Sequence, residues 1–425
     1  MSSTGTELTR TTVGSVTNQY KWTYSFWIKR SALGTGATNS FLFDWYQSSA
    51  NRGGILFEND NTLKIYDRVS NSNALDRTTN RKFMDINSWY HIVIAHDRTV
   101  GSPLTKMYIN GIEETSFKSS TDPSQNGTSY LNTASQTERI GKYGNGNEYS
   151  QMIMSHVHFC DGYYYQASDF GSTDSTTGEW KINTSPSVSY GNNGYFILKD
   201  GNSLTDQSPN TNNFTVAGGT LTKTEDNPSN VFCTLNGIIP QAGGVSGRNG
   251  SASTSLNNGN TTAGEGAAVF SNQLGTIFAS SGKYYAECKF GGDQYCSFGV
   301  ASPNFSDASL GSYPGASITG VNTAGIYGNG GIARVNGSTI FTDSNITTDT
   351  ICLAMDLDNG ALYVRRNDGS WMNSGNPESG STKTGAISLP SDTYTWIVTS
   401  HNNSGSGRNY MKVNFGNGYF GTTAV

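Results

Sequence analysis

Charge is scarce in this chain. Only 14% of its 425 residues are Asp, Glu, Lys or Arg, and the net charge is −5. No basic stripe is legible, which excludes the electrostatic footprint of a nucleic-acid partner. The shortage of Lys and Glu also leaves little material for long solvated helices. No apolar run approaches the roughly 20 residues of a membrane-spanning helix, so membrane insertion is not expected. The N-terminus, MSSTGTELTRTTVGS, has neither the basic nor the apolar region of a secretory leader. The expectation is a protein that folds in the cytoplasm where it is made. Five cysteines, an odd number with no CxxC spacing, argue against a disulfide framework. Proline is also rare, with 10 residues against 51 glycines.

What the chain does have is turns and aromatics. Aromatic residues make up 12%, and 23 of them are Tyr. Hydrophobic content of 34% suits sheets in which alternate residues point inward. Period-two alternation marks Thr23–Lys29, Trp89–Ala95 and Lys106–Asn110, the last running into an Asn-Gly turn. Arg139–Tyr143 and Gln151–Phe159, with a Gly/Asn turn between, read as a further pair. Gly282–Phe290 and Tyr295–Ala301 read as a hairpin about a GGDQ turn, which would make Cys288 and Cys296 cross-strand neighbours, expected as free thiols. No helical period is sustained. The predicted class is all-β: two tandem antiparallel β-sandwich (jelly-roll-like) domains over 1–175 and 250–425. The connector, 176–249, contains short apolar runs (Tyr195–Leu198, Phe214–Val216) and is expected to pack on the first domain. Gln241–Gly264, dominated by Gly, Ser, Asn and Thr, is the loosest stretch.

Two families are legible in the motifs. YSFWIKRS, SWYHIVIAHD, MYINGIEE and RIGKYGNGNEYSQMIMSHVHFCDG, in that order over roughly 20–170, resemble the successive strands of a laminin-G/concanavalin A-like jelly roll. Ile326–Gly369, with a Tyr-Gly-x-x-Gly hairpin, Asn336-Gly337 and MDLDNGALYVRRNDG, resembles the hallmark stretch of a SPRY (B30.2-like) domain. The whole order is similar to a layout of virion proteins of tailed phages of marine type. That resemblance implies a location on the virion and a role as a tail-fibre or receptor-binding component. It also implies other virion proteins of tail or capsid as partners, a host cell-surface glycan or protein as ligand, and a homo-oligomer. Capsid decoration or head fibre is the alternative within this class, and a polysaccharide depolymerase the alternative of another class. Neither a coiled-coil nor a β-helix shaft is legible, which favours a compact module mounted on a particle.

A retaining glycosidase needs two carboxylates about 5–5.5 Å apart. The solution known on the jelly roll is Glu-x-Asp-x-x-Glu along a strand. The nearest match, Glu58-Asn-Asp60-Asn-Thr-Leu63, has Leu in the third position and reads as a turn. No catalytic residue is assigned, and the expectation is a non-enzymatic protein. His156, His158 and Cys160 would share one face of a strand, but no fourth ligand completes a tetrahedral site. Hydrogen-bonded imidazoles are expected there, with no metal and no cofactor. His91 and His96 have opposite parity on their strand. His401, in a Ser/Asn/Gly stretch, is expected to be solvated.

The candidate ligand-binding residues are aromatic. Tyr163, Tyr164 and Tyr165 follow an Asp-Gly turn, and three consecutive residues cannot all be buried on one face. Tyr143 and Tyr149 flank the Gly/Asn turn, and Trp371 sits in an Asn/Ser/Gly loop. A flat apolar ring beside amides suits a glycan or a protein surface.

Overall fold

The computed structural model describes residues 5–34, 38–102, 104–146, 148–199, 203–237, 255–265, 270–305, 313–402, 409–420 and 423–424. The chain divides into two units, Met1–Val231 and Phe232–Val425. Each is an antiparallel β-sandwich, and among the described residues there is no α-helix.

The strands of the first unit begin with β1 (Glu7–Thr11), β2 (Lys21–Arg30), β3 (Ser40–Tyr46), β4 (Arg52–Phe57), β5 (Thr62–Val69), β6 (Ser72–Lys82), β7 (Tyr90–Asp97) and β8 (Leu104–Ile109). They continue with β9 (Ile112–Glu114), β10 (Phe117–Thr121), β11 (Thr137–Ile140), β12 (Met152–Asp161), β13 (Gly171–Thr173), β14 (Trp180–Ile182), β15 (Tyr195–Ile197) and β16 (Thr215–Gly218). One sheet has eight strands in the order β10-β6-β5-β4-β3-β11-β1-β16; the other has six, β15-β12-β2-β7-β8-β9. Strands β15 and β16, from the connecting region, are thus edges of the two sheets.

Alternation on β2 explains the core. Trp22, Tyr24, Phe26 and Ile28 face inward against Phe43, Ile55, Ile92, Ile94 and Phe159. The opposite face of β2 is buried as well. A second apolar layer of Val93, Tyr108, Cys160, Ala167 and Phe170, with Trp180 and Tyr190 packed on it, lies over that face. His91 stacks on Trp27 at 4.7 Å, and its Nδ1 accepts a bond of 2.9 Å from Trp180 Nε1. Burial pushes the His91 pKa down to about 3, so the ring is neutral and can accept.

Polar groups in this interior are networked. Glu138, inside the core, accepts from Tyr24 Oη at 2.6 Å, Tyr195 Oη at 2.7 Å and Arg10 Nε at 2.8 Å. The fully buried carboxylate of Asp161 accepts from the backbone N of Thr17 (2.6 Å), Asn18 (3.1 Å) and Asn193 (3.0 Å), and from Asn132 Nδ2 (2.8 Å). Lys29 pairs with Asp226 at 2.9 Å.

The second unit comprises β17 (Ser255–Asn257), β18 (Thr262–Glu265), β19 (Ser271–Leu274), β20 (Lys283–Lys289), β21 (Ser297–Ala301), β22 (Thr323–Tyr327) and β23 (Ile332–Val335). After these come β24 (Ser338–Phe341), β25 (Thr350–Asp356), β26 (Ala361–Arg366), β27 (Ile387–Ser388), β28 (Thr395–Ser400) and β29 (Asn409–Asn414). A seven-stranded sheet, β17-β18-β29-β20-β25-β26-β27, forms the core with a six-stranded one, β19-β28-β21-β22-β23-β24.

Several local expectations are corrected. β11 and β12 do not pair: β11 lies between β3 and β1, and β12 between β2 and β15. β20 and β21 likewise belong to different sheets, so Cys288 and Cys296 meet in the core and are not cross-strand neighbours. In both cases the turn carries the chain from one sheet to the other. Asn110-Gly111 and Asn336-Gly337 have φ > 0 at both positions, as a type I′ turn requires. Between β25 and β26 only Gly360 does, and the loop Leu357–Gly360 is held instead by Asp356 accepting from Asn359 N and Nδ2. Of Gln241–Gly264, residues 241–254 lie outside the described residues, and the remainder contributes β17 and the start of β18.

All five cysteines are buried free thiols, and burial pushes Cys296 up to about 12. Iodoacetamide should therefore leave the native chain unlabelled and modify all five only after unfolding, as read by mass spectrometry. Asp161→Ala leaves N–H donors from three loops without an acceptor. It should lower the unfolding free energy of the first unit by about 3 kcal/mol or more in denaturant titration; a loss within about 0.5 kcal/mol would refute its role.

Candidate functional site

The Tyr163–Tyr165 segment is the best-organised exposed aromatic feature. β12 ends at Asp161, and Gly162, at φ +88, turns the chain across the outer face of the six-stranded sheet. Asp161 pins the start of this segment. Thr23 Oγ1, on β2, pins its length by donating to Tyr163 O (3.0 Å) and accepting from Tyr165 N (2.9 Å). The three side chains then diverge. Tyr165 is half-buried, edge-on to Phe170, and its hydroxyl accepts from Ser189 N at 2.8 Å. Tyr164 is half-buried and hydrogen-bonded to Tyr108; burial, with Tyr108 and Glu113 nearby, holds its phenol well above the ordinary value. Tyr163 is 37% exposed, its ring parallel to Tyr165 at 5.9 Å and 16°. Alternation on β8 places Leu104, Lys106 and Tyr108 on this same outer face. Leu104 is 43% exposed, and Lys106 pairs with Glu113 at 2.9 Å. The result is a shallow apolar surface with charges at its margin.

Tyr143 and Tyr149 share the loop 141–150 but not a site. Tyr149 lies under the Lys142 ammonium, 5.3 Å from the ring centre. Tyr143 lies on the outer face of the eight-stranded sheet, stacked on Phe41 at 4.5 Å, with the Arg52 guanidinium 5.7 Å above it. Beneath this loop is a charged cluster that sequence reasoning missed. Asp44 is buried, and its Oδ2 accepts from Gly144 N at 3.0 Å while Oδ1 has no partner. A Cβ at Gly144 would lie 2.7 Å from that carboxylate and 2.6 Å from Tyr46 Cβ, so only glycine closes over it. Burial raises the Asp44 pKa to about 7; the Gly144 N–H, Arg139 and Arg52 oppose the rise and Glu7 adds to it. No local signal marks this cluster, because its partners come from distant strands.

Trp371 is in the second unit and is half-buried. It bridges to Arg365, whose guanidinium stands 5.2 Å over its ring, and Tyr363 meets it edge-on at 6.4 Å. Of the six aromatic candidates, the structure therefore brings together only Tyr163, Tyr164 and Tyr165.

The histidines have structural roles. A bulge puts His156 at φ +48 and breaks the i, i+2, i+4 alignment. His158 stacks on Phe196 at 3.8 Å and bonds Tyr190 Oη through Nδ1. His401 is not solvated: it is 5% exposed, with Nδ1 3.2 Å from Asp293 Oδ1. Among the described residues no group of three or more His, Cys, Asp or Glu is arranged to hold a metal. Among them, too, no helix is long and apolar enough to cross a membrane. Glu58 and Asp60 flank the β4–β5 turn and pair with Lys118 at 2.8 and 2.7 Å.

Residues 3–162 match the model of the concanavalin A-like lectin/glucanases superfamily. No curated protein matches the chain. Among solved structures, the SPRY domain of human HERC1 is 13% identical, covering 39% of this chain and 95% of that one, with a TM-score of 0.29. A SAP-like pentraxin from Limulus polyphemus is 16% identical, covering 37% and 71%, with a TM-score of 0.27. The TRIM65 PSpry domain is 12% identical, covering 43% and 92%, with a TM-score of 0.28.

The Asp44 cluster gives a pH signature. A carboxyl whose pKa rises on folding favours the folded state at low pH, and that contribution is lost as pH rises from about 4 toward the folded value. Asp44→Asn should therefore gain stability over the parent at pH 8 and not at pH 4, measured by denaturant unfolding. Equal differences at both pH values would contradict the assignment.

Proposed function

We propose that this chain is a non-enzymatic recognition protein that binds a host-surface glycan or protein through the Tyr163–Tyr165 face. More finely, we propose that it is a phage virion component of tail-fibre or receptor-binding type. One observation supports the recognition reading above others: Tyr163 offers an exposed ring whose backbone and stacking partner are already fixed. A fixed ring loses little conformational freedom on binding, which favours affinity from a small contact. The lectin-type superfamily match over 3–162 supports a carbohydrate or protein ligand. The motif order supports the virion placement, with assembly from the host cytoplasm. The non-enzymatic reading is supported by Glu58 and Asp60, which are engaged by lysines at a turn.

A second reading, docking onto another virion protein or a second copy of the chain, as in capsid decoration, has its own support. β9 is the edge of the six-stranded sheet, and Ile112 at its start is 68% exposed. Edges of this kind invite pairing with another chain.

Each ring contact is worth on the order of 1 kcal/mol. Tyr163→Ala should therefore reduce adsorption of particles to host cells by about fivefold, with incorporation into particles unchanged. Tyr164→Phe, which removes only the hydroxyl, should have little effect. Lost incorporation with normal adsorption per copy would select the docking reading. Parent-like behaviour of Tyr163→Ala in both assays would refute the recognition site.

A further inference from the structure

The six-stranded sheet of the second unit carries a cluster of aromatic rings on its outer face. Phe298, Ile326 and Val398 point into the core. In register beside them, Ser297 pairs with Tyr327 and with Thr399, so these three share the outer face. The same parity carries Phe270, Tyr295 and His401 to that face. Their rings form a nest. Tyr313 stacks on Tyr327 at 4.5 Å and 26°. Phe270 stands 5.8 Å from Tyr313, 6.1 Å from Tyr295 and 5.1 Å from His401. Tyr295 meets His401 edge-on at 4.7 Å. Phe270, Tyr295 and Tyr313 remain partly exposed, so the nest opens to solvent.

The polar groups here are arranged as well. Asp293 orients His401 through Nδ1 at 3.2 Å and accepts from Tyr295 N at 2.8 Å. Thr399 Oγ1 donates to Asn272 Oδ1 at 2.5 Å. Ser297, 0% exposed, has an Oγ with no hydrogen-bond partner.

We propose that this nest is a binding site for a neutral pyranose, separate from the Tyr163 face. A sugar ring has the two properties the nest asks for: an apolar C–H face to lie on the rings of Phe270, Tyr295 and Tyr313, and hydroxyls to meet the half-buried Arg334 guanidinium beside them. The charges disfavour a cationic guest. Arg334 donates from Nη1 to Tyr313 Oη, and its guanidinium stands 5.7 Å from the centre of that ring, so positive charge already occupies one wall. Asp293 is turned toward His401 and the backbone and offers no free anion.

Saturation-transfer NMR on the full chain tests this, with the methyl glycosides of glucose, galactose, mannose and N-acetylglucosamine as probes and tetramethylammonium as the cationic control. At least one glycoside should receive saturation, strongest on its C–H face, and tetramethylammonium none. Phe270→Ala and Tyr295→Ala should each weaken binding about fivefold. Tyr295→Phe, which keeps the ring and guards against misfolding as the cause, should retain it. Tyr163→Ala should also retain it, which separates this site from the one proposed in the first unit. Saturation of no glycoside, glycoside signals undiminished in Phe270→Ala and Tyr295→Ala, or signal from tetramethylammonium would each overturn the proposal.

Discussion

The buried carboxylate of Asp161 is the constraint on which the first unit's surface depends. It gathers N–H groups from the segments around residues 17, 132 and 193 at the end of β12, at 2.6–3.1 Å. A charge taken out of water is tolerable only when its lone pairs are met in this way. Once met, it fixes three loops and the exit of β12 together. The chain leaving that point turns through Gly162 onto the outer face of the sheet. The exposure of Tyr163 is a consequence of this route, since Tyr164 and Tyr165 are drawn toward Tyr108 and Phe170 by their own partners.

Covering that outer face also changes what the sheet is. In a solvated sandwich, Thr23, Ser25, Trp27 and His91 would face water. Here Phe170, Trp180 and Tyr190 lie over them, and the small polar side chains become internal partners: Ser25 for His91, Thr23 for the Tyr163–Tyr165 backbone. The Tyr163–Tyr165 face is thus the margin of a second apolar layer, held by the same packing.

The strands were legible where apolar residues alternate, as in Thr23–Lys29 within β2 and Trp89–Ala95 over most of β7. Their partners were not. A Gly/Asn stretch announces a turn, but it does not say whether the chain re-enters the same sheet; β11 to β12 and β20 to β21 both cross over. The exposure of one tyrosine in Tyr163–Tyr165 followed from parity alone. The burial of His401 did not, because its partner Asp293 is 108 residues away. The Asp44 cluster was invisible for the same reason, with Gly144 separated from it by 100 residues. Local pattern reports which residues face the same way; which charges meet is decided by topology.

The central claim is that recognition occurs at the face Asp161 and Thr23 organise. Hydrogen exchange of the chain, alone and in the presence of the host cells proposed as its target, tests it most directly. The account predicts added protection concentrated in the 161–166 amides and in β8, against an otherwise unchanged first unit. Protection elsewhere in that unit, with 161–166 unaffected, would contradict it.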